Sequence, residues 1–424
     1  MRFCFIHAAD LHLDTPFDGI GQVAPWVADA LKDASLEAFD ALVELAVARN
    51  AAFVVLAGDI YDGAERGVRA QLRFKKGLER LSDAGIWSFV VHGNHDPVDT
   101  GWSAIRSDWP PLVKIFDHGT VDEVTVEKDG EPIATVRGIS FERRAEMNNL
   151  ALRFPKQSGP GLQVGVLHCN LGGVQEHDPY APCSVDDLMK PGYDYWALGH
   201  IHQRTAVREG DPWIVYAGNL QGRNPKASEQ GAKGALVVEV DGRTVHPPEF
   251  IPLDVVRFLQ IEVDIAGIAD LSALEGQLVD EAGRLQGASD GRSALVRAVL
   301  TGRGPVHADL VREGAVGEVL QALRDETGEG VPFLFWESIR DETLTELDLD
   351  AIRKRGDFSS ELLKFADEVL GDETALADFI EKYLNDLPVG VLTSHGVPVP
   401  DPTVADTWRD AGVAALELLA GDRS

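Results

Sequence analysis

Five apolar runs in the first half of the chain are each followed, within three residues, by Asp, Asn or His. This repeated pattern constrains the fold more than any other feature. Helical periodicity separates the first three runs, and alternating strands and helices predict parallel pairing with right-handed crossovers. Parallel strands deliver functional side chains beyond their carboxyl ends. The predicted strands are residues 3–9, 53–57, 86–91, 162–167 and 193–198.

The polar residues after these runs form a mixed set of oxygen and nitrogen donors. Asp10 and His12 are two positions apart in an extended stretch, so both side chains can reach one ion. A mixed oxygen and nitrogen set without thiolate fits Mn²⁺, Fe or Zn²⁺ better than Ca²⁺, which prefers oxygen ligands alone. Seven donors are too many for one ion and suit two if a carboxylate bridges them. The candidates are Asp10, His12, Asp59, Asn94, His168, His200 and His202.

A two-metal site predicts a specific chemistry. Metal ions ~3.5–4 Å apart lower the pKa of a shared water and hold the non-bridging oxygens of a phosphate group. They stabilise the charge that develops as the phosphorus–oxygen bond breaks. His95 directly follows Asn94 and can donate a proton or carry a positive charge.

Composition places the chain among globular proteins, with 44% hydrophobic and 25% charged residues. No stretch approaches the ~20 apolar residues of a membrane span. The first residues enter a strand pattern directly, which leaves no room for a signal peptide. Three scattered cysteines do not suggest a disulfide framework. We therefore expect a cytoplasmic protein that does not contact a membrane.

The formal net charge of −30 argues against a nucleic-acid partner, because nucleic acids select basic surfaces. The excess is uneven, however: residues 341–424 carry 19 acidic and 7 basic side chains, a net charge of −12. This acidic segment is either a solvated face or a docking site for a basic partner. Two divalent ions would add positive charge to the predicted site.

The pattern changes near residue 256 and again near residue 344, so we predict three regions. Residues 1–255 carry all the candidate ligands. Residues 256–343 have a β-α-β-α-β pattern without clustered metal-type residues, which predicts a small α+β capping domain. Residues 344–424 are acidic and helical, with predicted helices at 358–370, 373–387 and 404–419.

Five motifs, in order, resemble those of the calcineurin-like metallophosphoesterase superfamily. Within it the chain is most similar to bacterial DNA-repair exonucleases of the SbcD-like and YhaO-like kind. Closer cues are the stretches at residues 9–17, 180–184 and 218–223. The resemblance implies a four-layer α/β/β/α core. The five motifs are Asp10-x-His12, Gly58-Asp59, Gly93-Asn94-His95-Asp96, His168 and Gly199-His200-x-His202.

The resemblance also implies roles for these residues. One metal ion would be held by Asp10, His12, Asp59 and His202. The other would be held by Asp59, Asn94, His168 and His200. His95 would protonate the leaving oxygen or stabilise the charged phosphate, and Asp96 would orient it. Such nucleases use Mn²⁺, dimerise, cut DNA as exonucleases with or without endonuclease activity, and work with an SMC-like ABC ATPase that bears a coiled coil.

Two other functions remain open from the residues alone. One is a phosphodiesterase or phosphatase for small nucleotides, although the arginine of related protein phosphatases is absent after Asp62. The other is a catalytically silent scaffold that recruits the ATPase. Among the neighbouring polar residues, we expect His7 to be a core histidine, His92 a strand or wall residue, and Asp62 a residue that fixes its loop.

Overall fold

The computed structural model describes residues 1–15, 24–62, 67–98, 105, 108–172, 179–326, 330, 332–345 and 349–370. The predicted helices 373–387 and 404–419 lie outside these residues. Residues 16 and 17 of the stretch at 9–17 also lie outside them.

The described chain forms 16 strands, which build three sheets. In chain order the strands are β1 (Arg2–Ala8), β2 (Phe53–Ala57), β3 (Trp87–Val91), β4 (Val113–Ile115), β5 (Asp122–Lys128), β6 (Glu131–Ile139), β7 (Leu162–His168), β8 (Tyr195–Gly199), β9 (Thr205–Arg208), β10 (Trp213–Tyr216), β11 (Gly234–Asp241), β12 (Thr244–Val245), β13 (Glu249–Pro252), β14 (Val256–Asp264), β15 (Ser293–Thr301) and β16 (Leu334–Asp341).

Helices cover the sheets and end the described chain. The α-helices are α1 (Pro25–Ala48), α2 (Val68–Asp83), α3 (Val185–Met189), α4 (Leu271–Ala288), α5 (His307–Leu310), α6 (Ala315–Glu326), α7 (Leu349–Arg353) and α8 (Phe358–Leu370). Within the described residues, 3₁₀ turns occur at Leu150–Arg153 and Ala227–Glu229.

The first two sheets contain all five strands that precede the candidate ligands. The first sheet has the order β12-β11-β1-β2-β3-β4, with β13 also paired to β11, and the second has the order β5-β6-β7-β8-β10-β9. Strands β1 to β4 are parallel, and so are β6, β7, β8 and β10. The parallel pairing predicted from the alternation of strands and helices is confirmed, and it sends the ligand-bearing loops of each sheet the same way.

Side-chain alternation along the strands explains the layers. In β2, Phe53 and Val55 point into a core between the two sheets, whereas Val54 and Leu56 pack against α1 and α2. A third core lies on the outer face of the second sheet, where Leu188 of α3 packs against it. Both faces of these parallel sheets are therefore covered, and the predicted α/β class is confirmed.

The helical periodicity of the sequence predicts a helix over residues 35–50, but α1 begins ten residues earlier, at Pro25. Pro25 occupies its first turn, where the missing N–H is not needed. The added turns bury Val27 and Leu31 in a separate cluster with Phe258 of β14 and Phe335 of β16. The first part of α1 thus packs against the third sheet, which has the order β14-β15-β16.

The chain divides into two compact units. The first contains the two large sheets and nearly all of the third, and comprises Met1–Val263, Glu275–Leu300 and Val316–Asp341. The second comprises Asp264–Leu274, Thr301–Ala315 and Glu342–Ser424. In the second unit, Ile352 of α7 packs on Leu363 of α8, and the expected helical C-terminal segment is present in the described residues.

The membrane prediction can be compared with the helices directly. None of the helices in the described ranges combines the length and the apolar character that crossing a bilayer requires.

His7 is fully buried in β1, as expected of a core histidine. Its Nδ1 lies 3.0 Å from the Tyr195 hydroxyl and its Nε2 lies 3.3 Å from the Leu198 carbonyl oxygen. Burial lowers the pKa of His7 to about 3. The unfolded chain, with a histidine pKa of ~6.5, therefore takes up this proton first as the pH falls.

We predict that His7 lowers the free energy of unfolding by ~1.4 kcal/mol for each unit by which the pH falls between ~6.5 and 3. His7→Gln should remove this contribution to the pH dependence of the free energy of unfolding. Urea unfolding in EDTA at several pH values between 4.5 and 7.5 measures both slopes. Equal slopes in wild type and variant would contradict the prediction.

Candidate metal centre

The seven candidate ligands meet where the carboxyl ends of β1, β2, β3, β7 and β8 come together, and all seven are buried. Backbone bonds join the loops: Asp10 N donates to the Gly58 carbonyl at 3.1 Å, and His12 N donates to the Asp59 carbonyl at 3.0 Å. Asp10, His12, Asp59 and His200 all have positive φ values. Such backbone is unfavourable for non-glycine residues and concentrates at functional sites.

One group of donors contains Asp10, His12 and His202, whose ligand atoms lie within 4.8 Å of one another. The two imidazoles face each other, with 3.2 Å between their Nε2 atoms. The His202 Nδ1 lies 2.7 Å from a carboxylate oxygen of Glu229. Because a carboxylate accepts, Nδ1 carries the proton and Nε2 presents a lone pair to the group.

The second group contains Asp10, Asp59 and His168. The amide oxygen of Asn94 lies 3.0 Å from His168 Nε2 and 3.2 Å from His200 Nδ1. His168 Nδ1 lies 3.0 Å from the carbonyl oxygen of Ala57, so it donates there and leaves Nε2 unprotonated. The structure thus brings all seven predicted residues together in two adjoining groups.

Glycines in the motifs make room for His168. A Cβ atom at Gly58 would lie 2.3 Å from His168 Nδ1, and Gly58 also has a φ of +97°. A Cβ atom at Gly93 would lie 2.3 Å from a carboxylate oxygen of Asp59 and 2.8 Å from His168 Nε2. Both motif glycines are therefore required by close approach of the backbone to the donors.

The electrostatics of the site fit divalent cations. Burial, followed by the charge of Asp59, raises the pKa of Asp10 well above its usual range. Burial likewise raises the pKa of Asp59. Burial also lowers the pKa of His12 and His202, and lowers that of His168 to about 4. Neutral imidazoles and two mutually repelling carboxylates form a donor set that positive ions would stabilise.

His95 lies beside the donors, but its carboxylate partner is not the expected one. The Asp96 carboxylate accepts from the backbone N–H groups of Ile60 and Gly93 and lies 2.8 Å from the His92 Nδ1. The His95 Nδ1 instead lies 2.7 Å from Asp62. The expectation that Asp96 orients His95 is therefore corrected: Asp96 holds the loop, and Asp62 holds the imidazole.

Sequence reasoning missed two further residues. Glu229 bonds His202 and also accepts from the side-chain amide of Asn219 at 2.5 Å. Arg223 lies between the carboxylates, 3.2 Å from Asp62 and 3.6 Å from Glu229. No motif marks Glu229, which follows His202 by 27 positions. For the role of Asp62 the sequence does offer a signal, because Asp62 stands only three positions after Asp59 in the same loop.

The pKa values of these carboxylates reflect their partners. Burial alone would raise the pKa of Glu229, but the His202 hydrogen bond and the nearby cations lower it to about 2. Burial is also outweighed at Asp62, where the His95 imidazole at 2.7 Å, the His12 imidazole at 3.6 Å and the Arg223 guanidinium lower the pKa. Both carboxylates are therefore charged at neutral pH and hold their histidines in one orientation.

An open cavity of about 630 Å³ adjoins the donors. It is lined by Asp59, Asn94, His95, His200 and His202, and by Arg223, Asn224 and residues 226–229. Substrate can therefore reach the donor groups and His95 from the same space.

Comparison with known proteins agrees with this geometry. Residues 4–204 match the family model of the calcineurin-like phosphoesterases, and residues 258–344 match that of the middle domain of metallophosphoesterase YhaO. The chain belongs to the calcineurin-like metallophosphoesterases, as the motifs predicted. The family and the site define a metal-dependent phosphodiester hydrolase.

Among relatives, the uncharacterized metallophosphoesterase YhaO of Bacillus subtilis is 36% identical over 345 residues, which cover 81% of this chain and 83% of that protein. The DNA double-strand break repair protein Mre11 of Thermoplasma acidophilum is 27% identical over 226 residues, covering 49% of this chain and 57% of that protein. A solved dimetal phosphatase from Danio rerio is 14% identical, with a TM-score of 0.34 and coverage of 59% of this chain and 99% of that chain. That score is too low to support any inference.

We predict that Glu229→Gln weakens Mn²⁺ binding by about 10- to 100-fold, because His202 loses the charged partner that orients it. Isothermal titration of the metal-stripped protein measures the affinity. Glu239→Gln, an exposed position on β11, is the matched control. Equal affinities for the two variants would show that Glu229 does not support the site.

We also predict that stabilisation by Mn²⁺ grows as the pH rises. Without metal, the raised pKa values of Asp10 and Asp59 mean that the folded state holds protons which the unfolded state has lost, so their stabilising share disappears as the pH rises. Metal replaces those protons. The difference in melting temperature between Mn²⁺-loaded and EDTA-treated protein should be larger at pH 7.5 than at pH 5. A difference that does not grow would contradict this account.

Proposed function

We propose that this protein is a two-metal, Mn²⁺-dependent phosphodiesterase that acts on DNA, as a repair exonuclease with or without endonuclease activity. The observation that carries the proposal is the convergence of seven buried donors around Asp10 and Asp59. Fe and Zn²⁺ are the alternative metals for a mixed oxygen and nitrogen set.

DNA is the proposed substrate for two reasons. Relatives that match about half of the chain are named as DNA double-strand break repair proteins. In addition, Arg223 and Lys226 line the open cavity beside the donors, although the chain as a whole has a net charge of −30. Basic side chains beside a hydrolytic site suit a phosphate backbone.

The proposed ligand roles are those that the family motifs imply: the two donor groups described above share Asp10, whereas the roles assign Asp59 to both ions. Asp10, His12, Asp59 and His202 would hold one ion, and Asp59 with Asn94, His168 and His200 would hold the other. When bound, the two ions supply an activated water and neutralise the non-bridging phosphate oxygens. Ala57 and Glu229 fix the protonated nitrogens of His168 and His202, so the other ring nitrogens stay available as ligands.

His95 would protonate the leaving oxygen. Burial lowers its pKa, but the hydrogen bond and charge of Asp62 and the charge of Asp59 outweigh this, and the net pKa is raised. Since Nδ1 is bonded to Asp62, the Nε2–H is the proton that can be given to substrate. Hydrolysis adds water across one phosphorus–oxygen bond, leaving a phosphate monoester and a hydroxyl that carries this proton.

The proposal extends to partners and compartment. An SMC-like coiled-coil ABC ATPase would bind the acidic segment at residues 344–424, with residues 256–343 as the capping domain, and the protein would act as a homodimer. The cytoplasm is the proposed compartment, where the three buried free thiols, Cys4, Cys169 and Cys183, would stay reduced.

We predict that wild-type protein with Mn²⁺ shortens end-labelled linear DNA and that His95→Ala lowers the rate by about 10²- to 10⁴-fold. The variant should bind Mn²⁺ as wild type does, because His95 lies outside the two donor groups proposed to hold the metal ions. Denaturing gels measure the cutting, and titration measures the metal.

His246→Ala, which removes an exposed histidine remote from the donors in sequence, is the control. Wild-type protein that binds two ions and leaves DNA intact would argue against the DNA assignment. Full activity in His95→Ala would remove His95 from the mechanism.

A further inference from the structure

The cavity is much larger than one phosphate group requires. Its volume is about 630 Å³, and it is open to solvent. A phosphate held between the two donor groups would occupy only the side formed by Asp59, Asn94 and His200. The rest of the cavity wall, formed by Arg223, Asn224 and residues 226–229, is therefore available to a part of the substrate that lies beyond the bond being cut.

This part of the wall carries two cationic side chains, Arg223 and Lys226, and one carboxylate, Glu229. The Arg223 guanidinium contacts Asp62 and Glu229, whose carboxylates are also bonded to His95 and His202. Lys226 is exposed, and no carboxylate of the described residues lies within 4.0 Å of its ammonium group. In a chain with a net charge of −30, a cavity wall with an unneutralised cation is a distinctive feature.

The wall is also held in place by its own hydrogen bonds. Lys226 N donates to the side-chain oxygen of Asn224 at 3.0 Å, and Glu229 N donates to the Lys226 carbonyl at 2.9 Å. Arg223 N donates to the Glu229 carboxylate at 3.2 Å. The backbone of Lys226 is thus tied to the carboxylate that orients His202, so the Lys226 side chain starts from a set position beside the donors.

We propose that Lys226, together with Arg223 and Asn224, forms a subsite for a second phosphate, namely the one next to the phosphate being cleaved. Ammonium and guanidinium groups bind phosphate through charge-assisted hydrogen bonds. The subsite rests on the proposed function and deepens it. It makes the enzyme select a polynucleotide strand over a substrate with a single phosphodiester.

The thymidine compounds TpT, pTpT and TpTp test this proposal, because they share one scissile bond and differ only in the second phosphate. With Mn²⁺, wild type should show a kcat/KM about tenfold higher for pTpT or TpTp than for TpT, roughly the effect of one charge-assisted hydrogen bond. The compound that is preferred identifies the side on which the subsite lies. Lys226→Ala should reduce this ratio several-fold, and Lys226→Arg should retain it.

Salt dependence gives a second measurement. Because one phosphate contact is lost, the slope of log kcat/KM for a short oligonucleotide against log salt should fall by about one in Lys226→Ala. Lys32→Ala removes one exposed charge from α1, outside the cavity, and should leave both the ratio and the slope as in wild type.

Several outcomes would overturn the subsite. Equal kcat/KM values for the three compounds in a wild type that cuts DNA would exclude a second phosphate site and leave the DNA assignment intact. An unchanged ratio in Lys226→Ala would exclude this residue as the binding group. Cleavage of bis(p-nitrophenyl) phosphate without cleavage of any thymidine compound or of DNA would overturn the subsite and the proposed function together.

Discussion

Two carboxylates, Asp10 and Asp59, are buried side by side, and the surrounding structure partly offsets the electrostatic repulsion between them. Each raises the cost of ionising a neighbour, because both side chains are almost completely buried. The backbone N–H of His200 donates to Asp10 at 3.0 Å, and that of His95 donates to Asp59 at 2.9 Å. These bonds offset only part of the repulsion, so the folded site favours cations.

The strand order provides the means to assemble such a site. Asp10 and Asp59 come from neighbouring parallel strands of the first sheet, whereas His168 and His200 come from the second. Packing the two sheets face to face brings their ligand-bearing ends together. The aromatic core between them, with Phe5 on β1 and Tyr195 on β8 at a centroid distance of 5.1 Å, fixes the spacing of the donors.

The sequence was most informative where function depends on residues close together in the chain. Asp10 and His12, or Asn94 and His95, stand directly after recognisable strands, and their glycines mark the tight backbone. The parallel pairing of the strands followed from the same pattern, whereas the four-layer core was implied by the family resemblance.

Residues that act through space were harder to find. The family resemblance pairs Asp96 with His95 and the sequence places Asp62 only in its loop, whereas in the structure Asp62 is the partner of His95. Glu229 and Arg223 lie in a stretch without periodicity, and only the folded loop brings them to His202 and Asp62. The early start of α1 was missed because its first turns pack on the distant third sheet.

That long first helix has a consequence for how the molecule unfolds. Its first turns bury Val27 and Leu31 against the third sheet, and its later turns bury Phe39 and Leu42 against the first. One rigid rod of 24 residues is thus shared by two hydrophobic cores. Melting either core would expose part of the same helix, so the catalytic sheets and the third sheet should lose their structure in a single cooperative step rather than one after the other.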